Sequence, residues 1–165
     1  MIYLLDTNAV SDLMRADGRF ESWLTAAKSC SPTGTGYGVI DAGHRSSTVV
    51  NGSVRGMGNS GINLNDGGSV ERVHADSNGN AGIQVDKGTM IGNTANFNGS
   101  DGLRPGGSSI FGATTASGNT AIGNGGSGIS VGCPSSVVGN TAVSNGQMNL
   151  QIIGAGCAVA NNAAP

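Results

Sequence analysis

From about residue 54 the chain alternates apolar and polar residues in short runs that recur at a nearly constant interval. Each run has an apolar anchor residue and a second apolar residue two positions later. The anchors are Ile62, Ile83, Leu103, Ile129 and Leu150, at intervals of 21, 20, 26 and 21 residues. Alternation with period two is typical of a β-strand that buries one face. The pattern therefore predicts one strand that is repeated along the chain.

Two further columns appear when the runs are aligned on their anchors. A glycine lies four residues before each anchor: Gly58, Gly79, Gly99, Gly125 and Gly146. A small apolar residue lies eight residues before it: Val54, Ala75, Ala95, Ala121 and Ala142. Repeats of about 21 residues with uniform columns are typical of a solenoid whose successive coils stack as parallel strands. We expect the glycines to occupy corners that need a positive φ.

Asparagine precedes the glycine in four of the five runs, and methionine does so in the first. The column is Met57, Asn78, Asn98, Asn124 and Asn145. Stacked asparagines can hydrogen-bond from one coil to the next and satisfy amides in a tight corner. The fold predicted for residues 35–165 is therefore all-β, a parallel β-helix of about five to six coils. The one longer interval predicts about six extra residues around "GATTAS".

Composition narrows the function classes. The 165 residues include 30 glycines but only eight lysines and arginines, and the formal net charge is −2. A chain with no basic footprint is not expected to bind nucleic acid through its phosphates. No stretch approaches the ~18 apolar residues of a membrane span. The apolar run at residues 1–5 follows no lysine or arginine, which predicts that it is not a signal peptide.

The three cysteines are Cys30, Cys133 and Cys157. They lack the close spacing of a metal site or a redox motif, and three cannot all pair within one chain. We expect them to pack as small residues. The sequence thus predicts no cofactor, with Ca²⁺ or Mg²⁺ as the ions that its acidic side chains would suit.

Candidate chemistry lies beside the small apolar column. If that column faces inward, the residues before and after it form two outward rows. The first row is Ser53, His74, Thr94, Thr120 and Thr141, and the second is Arg55, Asp76, Asn96, Ile122 and Val143. Arg55 and Asp76 would then lie on adjacent coils, about 4.8 Å apart at the backbone, with His74 in the same patch. Such a group can abstract a sugar proton or bind Ca²⁺, or it can be a solvated ion pair.

Aromatic residues, which sugar-binding sites commonly use as platforms, are scarce in the repeats. Only Tyr37, Phe97 and Phe111 are present there, and they do not form a column. This scarcity counts against a lyase or hydrolase.

The segments "GYGVIDAGHRSSTVVNGSVRGMGNSGINL" and the variants of "VVGNTAVSNG" resemble right-handed parallel β-helix proteins of the pectin-lyase-like superfamily, over residues 36–162. The resemblance implies a right-handed coil. It does not imply one activity, because that superfamily includes polysaccharide lyases, glycoside hydrolases, adhesins, tailspikes and bacterial repeat proteins. Its members are usually exported, which disagrees with the absence of a predicted signal peptide. The compartment therefore stays open.

The first 34 residues form a separate segment. Residues 1–28 predict a strand, "IYLLD", and two helices, "NAVSDLM" and "RFESWLTAA". "YLLDTNAVSDLMR" resembles the start of PIN-domain toxin ribonucleases, which implies that Asp6 helps to hold a catalytic metal. The resemblance ends near Ala27, before the further carboxylates that such a metal needs. The alternatives are a short α-helical cap on the open end of the solenoid, or a junction with an unrelated segment.

The sequence as a whole favours a non-catalytic scaffold or binding module, whose partner is a polysaccharide or another protein chain. Self-association through the open edges of the solenoid is a further expectation. One alternative is a lyase or hydrolase remnant acting on acidic polysaccharide through Arg55, His74 and Asp76. The other is a metal-dependent ribonuclease that uses Asp6.

Overall fold

The computed structural model describes residues 36–41, 45–106 and 113–165. In these ranges the chain forms thirteen parallel-paired strands and no helix. They are β1 (Val39–Ile40), β2 (Thr48–Arg55), β3 (Ile62–Asp76), β4 (Ile83–Ile91), β5 (Thr94–Asn96), β6 (Leu103–Pro105), β7 (Thr114–Ser117), β8 (Thr120–Ile122), β9 (Ile129–Gly132), β10 (Ser136–Val138), β11 (Thr141–Val143), β12 (Leu150–Ile153) and β13 (Ala158–Ala160). This part of the protein is an all-β parallel solenoid of about five turns, which confirms the stacked architecture.

Each turn passes through three faces, which we number in chain order. Face 1 consists of β1, the beginnings of β3 and β4, then β6, β9 and β12. Face 2 consists of the first part of β2, the middle of β3, the end of β4, then β7, β10 and β13. Face 3 consists of the ends of β2 and β3, then β5, β8 and β11. The repeat thus contributes three short strands to every turn.

The interior is filled by columns of like residues, as the alternation predicts. The anchors align with one another across face 1 and extend the column by one residue: Val39, Ile62, Ile83, Leu103, Ile129 and Leu150. Face 3 contributes the small column, in which Ala75, Ala95 and Ala121 are fully buried. Full burial of each aliphatic anchor contributes about 1.5–3 kcal/mol before entropy is counted. Stacking of turns therefore supplies most of the stability.

The conformational role expected for the column of glycines is wrong. Positive φ occurs instead one residue before the asparagine column, at Gly56, Ser77, Phe97, Gly123 and Ser144. The column glycines are needed because adjacent turns approach closely. A Cβ on Gly99 would lie 2.3 Å from the carbonyl oxygen of Gly79, and one on Gly125 would lie 2.5 Å from that of Gly99.

The predicted asparagine column forms a continuous hydrogen-bonded ladder between face 3 and face 1. The Asn98 backbone N–H and Nδ2 both donate to Asn124 Oδ1, at 3.0 and 2.9 Å. Asn98 Oδ1 accepts the same two bonds from Asn78, at 3.0 and 2.9 Å. Asn98 Nδ2 also donates to the carbonyl oxygen of Ala75, at 2.9 Å. Each rung therefore satisfies the buried backbone of the turn before it.

A second asparagine ladder, which the repeat pattern did not predict, lies between face 2 and face 3. Its rungs are Asn93, Asn119, Asn140 and Asn162. Asn119 repeats the arrangement of the first ladder, since its backbone N–H and Nδ2 donate to Asn140 Oδ1 and its Nδ2 donates to the carbonyl of Met90. Face 3 is thus enclosed on both sides by asparagine corners.

The pairing of the described strands shows that the longer interval arises between the face 1 strand β6 and the face 2 strand β7. Val85 pairs with Pro105, and Gly88 pairs with Thr114, so an interval of three residues in one turn becomes nine in the next. The six extra residues therefore fall between Pro105 and Thr114, next to "GATTAS", around which they were predicted. The reason is that β7 pairs in regular register with β4.

A disulfide joins Cys133 to Cys157, which corrects the expectation that the cysteines only pack as small residues. Cys133 begins the corner between face 1 and face 2 in one turn, and Cys157 ends the equivalent corner in the next. Their separation of 24 residues is close to one turn of the repeat, so stacking brings their Cα atoms within 5.1 Å. The covalent bond fastens the last described turn to the one below it.

Removal of this disulfide is expected to loosen the last turn selectively. In a Cys30→Ser background, Cys133→Ser with Cys157→Ser should cost about 3 kcal/mol, the value for a closed loop of this size. Hydrogen exchange followed by mass spectrometry should show faster exchange in β12 and β13, with little change in β4 and β5, because each turn contacts only its neighbours. Equal acceleration throughout the solenoid would contradict this.

The predictions for the first 34 residues fall outside the described ranges. These are the strand, the helices, the α-helical cap, Asp6 and Cys30. In the described part of the chain, no helix has the length and apolarity that are needed to cross a bilayer.

Candidate functional site

Face 3 presents the two outward rows that the sequence predicts. Its strands β5, β8 and β11 have three residues each, and in each the middle residue is buried while the outer two are partly exposed. The parallel register aligns Ser53, His74, Thr94, Thr120 and Thr141 in the first row. It aligns Arg55, Asp76, Asn96, Ile122 and Val143 in the second. Both rows run parallel to the solenoid axis. The first row is polar at every turn, whereas the second becomes apolar at Ile122 and Val143.

The rows place Arg55 beside Asp76 on the neighbouring turn. Arg55 Nη2 lies 3.2 Å from Asp76 Oδ2, and the two side chains are 71% and 18% exposed. The second oxygen, Asp76 Oδ1, is covered and has no hydrogen-bond partner among the described residues. An exposed pair of this kind contributes about 0–1 kcal/mol to stability. The Arg55 guanidinium, which is largely exposed, remains available for ligand hydrogen bonds.

His74 does not join this pair. It lies in the other outward row, is exposed, and makes no hydrogen bond or ion pair within the described residues. A catalytic base is commonly held in place by a third group, and the described surroundings of His74 supply none. The three predicted residues therefore form an ion pair and a separate imidazole on one face.

Other acidic side chains support the corners between faces. Asp66 Oδ2 is paired with Lys87 at 3.2 Å. Asp101 Oδ1 accepts a hydrogen bond from the backbone N–H of Ser127 at 2.8 Å, and Asp101 Oδ2 lies 4.0 Å from Arg104 Nε. Within the described ranges, no three His, Cys, Asp or Glu side chains are grouped in a way that could hold a metal ion. Asp6 lies outside those ranges.

Phe97 is a residue whose importance the repeat pattern did not reveal. It occupies the corner between face 3 and face 1, is 66% exposed and has a φ of 53°. The equivalent positions in the other turns hold glycine or serine. An aromatic residue directly before a ladder asparagine was the available signal, because that position requires a left-handed backbone.

The class of protein that the fold and surface define is a three-faced parallel β-solenoid with outward polar rows on face 3. Comparison of the chain with family models, with curated proteins and with solved structures finds no significant match.

Proposed function

We propose that the protein is a non-catalytic binding module that holds an extended polysaccharide chain along face 3. The observation that supports this most directly is the register of the outward rows, which repeats hydroxyl, amide and charged groups at the strand spacing of about 4.8 Å. An extended polymer lying along the axis meets a polar group at every turn. Its hydroxyls are matched by donors and acceptors of the same kind.

The division of roles between the inside and the outside of the solenoid supports the proposal. The buried columns and the two asparagine ladders account for the stacking of turns. By contrast, the face 3 hydroxyls of Thr94, Thr120 and Thr141 are involved in none of the side-chain hydrogen bonds among the described residues. These hydroxyls are therefore free to bind a ligand.

Binding is favoured over catalysis by the arrangement of the predicted catalytic residues. Arg55 and Asp76 neutralise each other at 3.2 Å, and His74 has no orienting partner in the described structure. A lyase or hydrolase acting on acidic polysaccharide would instead use the three as a unit.

The family assignment is part of the same proposal. We propose a right-handed coil of the pectin-lyase-like superfamily, on the support of parallel pairing, three strands in each turn and asparagine ladders at the corners. Right-handed crossovers are the rule for parallel strands.

Affinity electrophoresis in gels that contain a soluble polysaccharide tests the binding function. The double variant Thr94→Val, Thr120→Val removes two face 3 hydroxyls, and we expect it to weaken retardation by xylan, mixed-linkage β-glucan or dextran. The matched control is Thr89→Val, Thr115→Val, which changes the same turns on face 2. All four sites are partly exposed, so the free energy of unfolding should change by only about 0.5 kcal/mol for each substitution except Thr89→Val. Thr89→Val should cost about 0.5–1.5 kcal/mol, because it also removes the hydrogen bond between the Thr89 and Ser69 hydroxyls.

Three outcomes would contradict the proposal. No polysaccharide retards the wild-type chain, or both double variants lose retardation equally, or polygalacturonate is cleaved in a way that Asp76→Ala abolishes. The last outcome would support the lyase alternative. Cleavage of RNA with Mg²⁺ or Mn²⁺ that Asp6→Ala abolishes would instead support the ribonuclease alternative.

A further inference from the structure

The backbone of Phe97 has a conformation that a bulky side chain disfavours. Its φ of 53° is in the left-handed region, which costs energy for residues other than glycine. Asparagine adopts this conformation more readily than a bulky residue such as phenylalanine does. The equivalent corners hold Gly56, Ser77, Gly123 and Ser144. Phenylalanine therefore destabilises this corner relative to glycine. The need to form the turn does not explain why position 97 holds an aromatic residue.

Burial does not explain Phe97 either. Two-thirds of the residue is exposed, and it is the most exposed of the large hydrophobic residues in the described ranges. The ring leans along the axis onto Gly123 in the next turn, where an added Cβ would lie 2.7 Å from Phe97 Cε1 and 2.8 Å from Cδ1. Glycine at position 123 thus leaves room for the ring. The contact holds an open aromatic surface in one place on the corner.

An amide with unused hydrogen-bonding capacity lies beside Phe97, and an ion pair follows in the two preceding turns. Asn96 precedes Phe97 and is aligned with Asp76, which is aligned with Arg55. Asn96 Oδ1 accepts a bond from the Ile122 backbone N–H at 3.2 Å, while its Nδ2 donates none among the described residues. The row therefore offers an amide donor and a guanidinium along the axis, while the Asp76 carboxylate between them is paired with Arg55 and only 18% exposed.

Resting on the binding function proposed above, we infer that Phe97 and the row formed by Arg55, Asp76 and Asn96 make a subsite for a neutral pyranose unit of the polysaccharide. The apolar face of the sugar ring stacks on Phe97. The hydroxyls at its edge accept hydrogen bonds from the Asn96 amide and from the Arg55 guanidinium, which the ion pair with Asp76 holds in place. An apolar platform with a few fixed polar groups is the usual composition of a small-molecule site.

The charge of the row decides between neutral and acidic sugars. Arg55 and Asp76 carry opposite charges 3.2 Å apart, so together they have no net charge. The whole chain has a formal net charge of −2. A polyuronide therefore gains no electrostatic attraction from the subsite or from the long-range field of the protein. A neutral polysaccharide is therefore at no electrostatic disadvantage relative to a polyuronide.

The test is affinity electrophoresis of the full chain, with wild type, Phe97→Asn and Phe97→Tyr run in xylan, mixed-linkage β-glucan, dextran and polygalacturonate. Phe97→Asn removes the ring and places a residue that tolerates the left-handed backbone, so the melting temperature should stay the same or rise. It should weaken retardation by a neutral polysaccharide about tenfold. Phe97→Tyr keeps the ring and should bind as the wild type does.

The control for general surface hydrophobicity is Met148→Asn, which removes another exposed apolar side chain and should leave retardation unchanged. If Phe97→Asn is retarded like the wild type while Thr94→Val, Thr120→Val is not, the subsite is wrong and the binding function stands. If polygalacturonate alone retards the chain, the neutral ligand class is wrong. If no polysaccharide retards the wild-type chain, both the subsite and the binding function are wrong.

Discussion

Gly99→Ala is expected to disrupt the stacking of turns and to lower the free energy of unfolding by about 3 kcal/mol or more. The added Cβ would lie 2.3 Å from the Gly79 carbonyl oxygen. Neither chain segment can move away easily, because the Gly99 backbone N–H donates to the Asn78 carbonyl oxygen at 2.8 Å. Denaturant unfolding monitored by far-ultraviolet circular dichroism measures the loss.

Gly118→Ala is the matched control for that change. Gly118 has a φ of +62°, and apart from its two chain neighbours no described residue has a heavy atom within 4 Å of the place that an added Cβ would occupy. Alanine there bears only the cost of the left-handed conformation, about 1–2 kcal/mol. If the two substitutions lower stability equally, close approach between turns is not the reason for glycine at position 99.

Asn98→Ala is expected to destabilise the protein by roughly 3–5 kcal/mol, since each buried polar group left unpaired costs about 1–3 kcal/mol. The substitution leaves the Asn78 backbone N–H and the Ala75 carbonyl oxygen without their bonds to the Asn98 side chain. It also removes two bonds between ladder side chains, those to Asn78 and Asn124. Asn98 is only 2% exposed, which limits replacement by water.

The control for this prediction is Asn80→Ala. Asn80 is an exposed asparagine whose Nδ2 donates to Asn59 Oδ1 at 3.1 Å, so its removal should change stability by about 0.5 kcal/mol or less. Urea midpoints for both variants at equal protein concentration give the comparison. A loss of less than about 1 kcal/mol for Asn98→Ala would mean that the ladder is not a main source of stability.

The core and the outward rows could be predicted from the sequence because a constant repeat length fixes the register. Once Ile62 and Ile83 are known to share a column, nearly every residue between them has an equivalent in the next turn. The same logic aligned Arg55 with Asp76 and predicted the first asparagine ladder. These features depend only on counting residues, and the pairing of the strands confirms them.

The second ladder was detectable in principle. Asn93, Asn119 and Asn140 each lie ten residues before an anchor and belong to the repeated motif "GNTA". The two earliest turns have Gly52 and Val73 at the corresponding corner, so the column is incomplete where the repeat begins. An alignment of all five runs therefore shows no uniform asparagine column at this position, although the last three runs share one.

Other features depend on the path of the backbone through the corners, which repeat length does not determine. The pairing of Cys133 with Cys157 requires that the start of the corner between face 1 and face 2 in one turn lie close to the end of the equivalent corner in the next turn. The exposure of Phe97 depends on which side of a corner its Cβ points to. The role of Gly99 depends on the distance between two backbones. In each case the residue type is compatible with several local arrangements, and the stacking of the turns determines which one forms.

The asparagine ladders also make the solenoid extendable in whole steps. In the second ladder Asn93, Asn119 and Asn140 each donate to the asparagine Oδ1 of the turn that follows, so the bonds between rungs run in one direction from Asn93 to Asn162. Duplication of residues 118–138 would insert one more rung in each ladder and lengthen face 3 by about 4.8 Å. If face 3 binds a polysaccharide as proposed, the length of polymer that it contacts would then increase with the number of copies of this unit.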